Sequence, residues 1–144
     1  MTVDILFIGI LISLFVTEIT GLSPGGIIVP SYIALFLISP LRLAGTFAVA
    51  LLTYGTYRLL STRLILFGRR RFTAMILIGA TYAYLSMAAV PHLGISAMDL
   101  RAIGWVVPGL LANSFDRQKV LPTSILSLAS GTATFALSRL LFSL

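Results

Sequence analysis

The hydrophobic residues of this chain fall into long runs, and its polar residues gather in the gaps between them. Residues 5–17 form a continuous apolar run closed by Glu18, and Thr20-Gly21-Leu22-Ser23-Pro24 punctuates it. A second apolar element, 25–38, contains Pro30 and ends at Ser39-Pro40-Leu41-Arg42. Residues 43–67 are long enough to span a bilayer but carry Arg58 and Arg63. After Gly68-Arg69-Arg70-Arg71 comes another run, 72–90, and a loop opened by Pro91-His92-Leu93-Gly94. A second Pro-containing element covers 102–114, Asp116-Arg117-Gln118-Lys119 makes a polar loop, and 121–142 is the last run. The elements predicted are all helices.

The two Pro-containing elements resemble each other. Gly25-Gly26-Ile27-Ile28-Val29-Pro30-Ser31-Tyr32-Ile33-Ala34 is echoed by Ile103-Gly104-Trp105-Val106-Val107-Pro108-Gly109-Leu110-Leu111-Ala112, with the prolines 78 positions apart. Gly55-Thr56 and Gly131-Thr132 extend the match at an offset of 76. The unit is helix, broken helix, helix, and it occurs twice, over about 1–71 and 72–144. Proline inside a helix removes a donor and clashes with the preceding turn. Lipid tolerates such a break only where protein or a water-lined cavity satisfies the freed groups. In transporters, substrate binds where the broken helices of two repeats meet. The expected fold is therefore an all-α integral membrane bundle of two repeats.

Composition agrees. Hydrophobic residues make up 58% and charged residues 10% of the 144, and mean hydropathy is +1.07. A soluble domain carries about 25% charged residues. The net charge of +6 resides in cations at segment edges, as topology signals do, and does not point to nucleic acid. Asp4 in place of a basic leader, and no small-x-small cleavage site, predict a retained first helix. The Arg69–Arg71 run places its loop in the cytoplasm under the positive-inside rule. If both Pro elements cross, the halves are inverted, and Arg117 and Lys119 lie on the same side as that loop. If both are re-entrant, the halves are parallel, and those two cations lie outside. Loop charge favours crossing.

Candidate chemistry is sparse. There is no Cys and one His, His92, so no Cys/His metal centre is expected. No nucleotide-binding loop precedes Lys119, no nucleophile elbow is present, and the four carboxylates are scattered, so no catalytic residue is assigned. Glu18 is either a functional carboxylate within a membrane segment or an interfacial one at a helix end. Arg58 either snorkels towards Arg69 or turns inward, towards Glu18 or a substrate carboxylate, and the reach of about 16 Å of helix favours the interior. Arg63 and Arg139 are read as reaching for the interface. Gly25, Gly26, Gly104 and Gly109, beside Pro30 and Pro108, serve either close packing or the freeing of backbone donors for an anion. Ser31 and Asn113 would add side-chain hydrogen bonds. Ser127/Gly131 and Ser130/Thr134 suit a helix–helix or subunit seam.

Three stretches carry a family resemblance. Thr17-Glu18-Ile19-Thr20-Gly21-Leu22-Ser23-Pro24-Gly25-Gly26 through Tyr32 is similar to the first signature of the poly-γ-glutamate synthesis membrane-subunit family, PgsC/CapC. The segment from Leu66 to Met75 is similar to its central loop, and that from Arg101 to Asn113 to its second signature. Ile19 departs from the basic residue expected after the Glu. The resemblance covers nearly the whole chain. It implies a multi-pass subunit in a bacterial or archaeal cell membrane, non-catalytic itself. Its implied partners are an ATP-dependent amide ligase and an outward-facing anchored subunit. No cofactor is implied in this chain, with ATP and Mg on the ligase. Poly-γ-glutamate is then the anion expected at Arg58 and the broken-helix donors, and Arg69, Arg70 and Arg71 are the expected ligase dock. A bundle this small predicts a homo-oligomer among membrane lipids. A purely structural anchor of the ligase and a small organic-anion transporter are the alternatives.

Overall fold

The structure, a computed structural model, describes residues 2–65, 67–89, 92 and 106–143. All the long elements in it are α-helices: α1 (Thr2–Thr20), α2 (Val29–Leu35), α3 (Pro40–Ser61), α4 (Arg69–Ala89), α5 (Val107–Gln118) and α6 (Val120–Phe142). The bundle is all-helical, as the apolar runs predict. Among these, α1, α4 and α6 are long and apolar enough to cross a membrane. α3 has the length but is not among them. Its hydroxyls are occupied, with Thr53 Oγ1 donating to the Val49 carbonyl at 2.8 Å and Thr56 Oγ1 bonded to Tyr82 Oη at 2.8 Å.

The prolines do not interrupt helices, contrary to the sequence expectation. Pro30 and Pro108 each stand in the first turn of their short helix. There the missing N–H is no loss and the fixed φ suits the helix. In the first half the irregular stretch precedes the proline, over residues 21–28, with positive φ at Gly21, Gly25 and Gly26. Ser13 Oγ donates to the Gly26 carbonyl at 3.3 Å, and the Gly26 N–H donates to Ser23 Oγ at 3.0 Å. Hydroxyls thus replace the missing helical ladder.

Pairings along the helices fix direction. Gly26 lies against Ser13, Ser31 Oγ donates to the Leu6 carbonyl at 3.1 Å, and Ile38 shares a cavity with Ile5. Residues 21–38 therefore run back along the whole of α1, first as loop and then as helix. α5 likewise runs antiparallel to α4, with Gly109 against Gly79 and Asp116 against Arg71. Each short helix begins near the middle of a long one. α2 packs on α1 and α6, while α5 packs on α4 and α3.

The shared core consists of Val29 and Ile33 of α2, Leu43 and Ala50 of α3, and Val107, Leu111 and Phe115 of α5. Phe7, Leu11 and Phe15 of α1 and Leu121 and Ile125 of α6 point outward. The inward stripe of α6 is instead hydroxylated: Thr123, Ser127, Ser130, Thr134 and Ser138 are all buried. Lipid tails are as apolar as leucine, so no hydrophobic force gathers these helices, and close approach of small residues does it. A Cβ on Gly79 would lie 2.8 Å from the Gly109 nitrogen, and one on Gly109 would lie 2.7 Å from Ile76 Cα. Gly131 similarly admits Ile33, and Gly9 admits Ser31.

Replacing Gly79 by Val should therefore force α4 from α5 and cost about 3 kcal/mol, read as a lower thermal midpoint of the detergent-purified protein. Gly55→Ala is the comparison, since a Cβ there meets nothing within 4 Å. Its midpoint should hold or rise.

Candidate functional site

A cavity of about 300 Å³ opens between the irregular stretch and α5. One wall is Ser23, Gly25, Gly26, Ile27 and Ile28, and Phe72 of α4 closes an edge. The other wall is the stripe Leu110, Asn113, Ser114, Arg117 and Gln118. Those residues recur at three- and four-residue spacing, which aligns them on one face of a helix. The opposite face of α5 carries Leu111, Ala112 and Phe115, all fully buried, and this sets the rotation of the helix.

The irregular wall is glycine-built for two reasons. Gly25 and Gly26 have φ of 90° and 117°, a region that side chains rarely enter. A Cβ on Gly25 would also come within 2.7 Å of Leu111 Cδ2. The polar contents are one guanidinium (Arg117), two carboxamides (Asn113, Gln118) and two hydroxyls (Ser23, Ser114). Such a set holds an anion by charge and hydrogen bonds; it supplies no nucleophile–base pair. Gln118 Oε1 and Arg71 Nε are buried without a partner among the described residues.

Beside the cavity, Arg71 Nη1 donates to Asp116 Oδ2 at 3.1 Å, with side-chain exposures of 29% and 20%. This pair ties the first turns of α4 to the last turns of α5. It occupies the acid next to Arg117, which is itself exposed at the edge of the cavity.

Of the residues singled out from sequence, Gly25, Gly26 and Asn113 come together here. Pro30, Ser31, Pro108 and Gly109 are buried in helix packing instead. The starts of α2 and α5 are filled by the apolar core, so their backbone donors do not line the cavity. Gly104 lies outside the described residues, as does most of the loop that follows α4. Glu18 is exposed in the last turn of α1. Arg58 does not turn inward. α3 stops at Ser61 rather than Phe67, so Arg58 sits in its last turn, exposed, over the Tyr54 ring at 5.7 Å. Arg69 and Arg70 are exposed; Arg71 is the member of the run that turns inward.

Sequence reasoning missed Arg117 and Gln118 because it ended the helix at residue 114 and assigned 116–119 to a loop. The signal was present: Arg117 stands four after Asn113, and Gln118 four after Ser114.

The family described as Capsule biosynthesis CapC matches residues 8–124, a span that includes every residue of the cavity wall. The chain is 36% identical over 133 residues to the PGA biosynthesis protein CapC of Bacillus subtilis (strain 168), covering 92% of this chain and 89% of that protein. It is 34% identical over 139 residues to the capsule biosynthesis protein CapC of Bacillus anthracis, covering 95% and 93%. No solved structure matches it.

Because the Arg71–Asp116 pair is half-buried, removing one partner strands the other. Asp116→Asn should cost about 1–3 kcal/mol of stability. The double variant Arg71→Met/Asp116→Leu should recover part of that loss in a thermal double-mutant cycle.

Proposed function

The chain belongs to the CapC capsule-biosynthesis family, and from that premise we propose that it is the membrane subunit of a poly-γ-glutamate synthesis and export complex. A separate ATP-dependent amide ligase makes the polymer, with ATP and Mg bound there, and an outward-facing anchored subunit completes the complex. This chain receives the polymer at the cavity between the 23–28 stretch and α5. The observation that supports the reading is that Arg117 lines one cavity with Gly25, Gly26, Asn113 and Gln118. Poly-γ-glutamate carries one carboxylate per residue, and such a wall suits one carboxylate at a time.

Orientation follows from charge. Arg63, the Arg69–Arg71 run, Arg117 and Lys119 all belong to the end of the bundle where α3 meets α4 and α5 meets α6. On the positive-inside rule that end is cytoplasmic, so the cavity opens towards the ligase. Arg69 and Arg70, both exposed there, are the docking cations. The packing of α2 on α1 and α6 becomes that of α5 on α4 and α3 when the halves are exchanged, and α4 starts at the end where α1 finishes. Both features support an inverted repeat of three passes per half. The outward apolar faces of α1, α4 and α6 suit contact with lipid, and it is the small size of the bundle that calls for several copies or partner subunits around one path.

Arg117→Gln should weaken polymer binding about ten- to a hundredfold, the value of a charge-assisted hydrogen bond. Polymer export by the assembled complex should fall with it. Arg58→Gln should leave export within twofold. Equal export by the Arg117 variant, with the ligase still co-purifying, would leave the anchoring role and remove the cavity from the route. The chain has no native Cys, so Lys119→Cys gives a clean topology probe. A membrane-impermeant thiol reagent should label it in inside-out vesicles and not in intact cells.

A further inference from the structure

We infer that the end of the bundle opposite the Arg117 cavity holds one anionic phospholipid, with its phosphate on Arg139 and an acyl chain between α1 and α6. This inference is separate from the polymer reading and asks only that the chain spans a bilayer. A second cavity, of about 480 Å³, opens at that end. Ile5 in the first turn of α1, Ile38 beyond the end of α2, and Phe135 and Phe142 of α6 wall it, together with Ser138 and Arg139. Arg139 lies about 29 Å along α6 from Val120. That rise matches a hydrocarbon core of about 30 Å. With Lys119 at one interface, Arg139 therefore reaches the other, at the depth of lipid phosphates.

The positive-inside rule accounts for the cations at the α3–α4 and α5–α6 end but not for Arg139 at the far one. Its guanidinium is exposed and lies over the Phe135 ring at 5.1 Å, and no carboxylate among the described residues pairs with it. The ring holds the cation beside the cavity through its face, which leaves the in-plane N–H groups to donate outward. Ser138 Oγ is already committed to the Phe135 carbonyl at 2.8 Å, so the guanidinium is the polar group that a ligand meets. The occupant must present one anion to Arg139 and apolar surface to isoleucine and phenylalanine. A guanidinium pairs bidentately with phosphate. Phe135 is one turn nearer the membrane centre than Arg139, so the apolar wall leads inward from the charge, in the order headgroup then chain. Basic pockets between membrane helices take anionic headgroups in this way. A polyglutamate chain does not fit, because its further carboxylates would lie against apolar side chains with no second cation in the wall. A choline headgroup brings its own cation to the phosphate and competes with Arg139.

The test is native mass spectrometry of the detergent-purified full chain, titrated with phosphatidylglycerol or phosphatidylcholine. One phosphatidylglycerol per chain should be retained in preference to phosphatidylcholine. Arg139→Gln should weaken it about ten- to a hundredfold, whereas Arg63→Gln, at an exposed cation of the other end, should stay within twofold. Ile38→Asp sets a like charge against the phosphate and should also weaken binding; at 75% exposure this position tolerates the change without unfolding. Inorganic phosphate in moderate excess should not displace the lipid, since it gains nothing from the apolar walls. Displacement by phosphate would make this a free-anion site, and displacement by a γ-linked glutamate oligomer would put polymer there instead. Equal retention of both lipids, unchanged by Arg139→Gln, would reduce the cavity to ordinary lipid contact. A dimer that retains no lipid would show that a second copy covers it. Any of these four results overturns the proposal.

Discussion

Within a bilayer every main-chain N–H and C=O must find its partner inside the protein, and this chain satisfies that demand in an unusual place. Residues 21–28 are not helical, yet they lie along α1 within the bundle. Ser13 and Ser23 supply hydrogen bonds that a helix would have supplied itself. Positive φ at Gly25 and Gly26 turns the backbone, and at Gly25 a side chain would also collide with Leu111. Close contact of α5 with that stretch is what makes a cavity of protein backbone rather than a gap open to lipid. The glycines, the serines and the α5 stripe are consequences of one requirement.

The same requirement explains where polarity sits. α6 turns Thr123, Ser127, Ser130, Thr134 and Ser138 inward and most of its leucines outward. Each buried hydroxyl is satisfied along its own helix, as with Thr134 Oγ1 on the Ser130 carbonyl at 2.7 Å and Ser127 Oγ on the Ser124 carbonyl at 2.9 Å. These groups are small enough for close packing and make no demand on a neighbour. The Gly9–Ser31 and Gly79–Gly109 contacts play the same part between the long and short helices of each half. Tight seams hold the short helices still, and a still α5 is what keeps Asn113 and Arg117 on one face.

Much of this was legible in the sequence. Six apolar runs give six helices, and the repeated Gly/Pro block marks both short ones. What escaped was the rotation and extent of elements, because local signals there are weak. Ser61 and Thr62 end α3, their hydroxyls taking the Arg58 and Leu59 carbonyls at 2.8 Å and 2.7 Å. Side chains of this kind compete with the helical ladder. The apolar residues Leu64, Ile65 and Phe67 hid that stop, and Arg58 was placed too deep as a result. The opposite error befell α5, whose charged last turn resembles a loop in isolation. It is helical because Asp116 is held by Arg71, a partner 45 positions away that no local pattern reveals. The prolines mark short helices but were misplaced within them: Pro30 and Pro108 stand in first turns, and before Pro30 it is the glycines that carry the irregular backbone.

A repeated architecture need not carry a repeated site, and here the chemistry is lopsided. Stepping back 78 positions from Asn113, Ser114, Arg117 and Gln118 gives Leu35, Phe36, Ser39 and Pro40. The first short helix therefore has no guanidinium and no carboxamide at the matching places. α2 also ends after seven residues, where α5 continues to twelve. α5 then turns into α6 through Lys119, whose φ of 75° and ψ of 157° lie in a region that a side chain enters only under strain. That reversal ends α5 after Gln118. On the proposed reading, a polymer meets a strong grip at one end of the bundle and no equal grip at the related position of the other half. Loading is then favoured from one side without a matching trap further along.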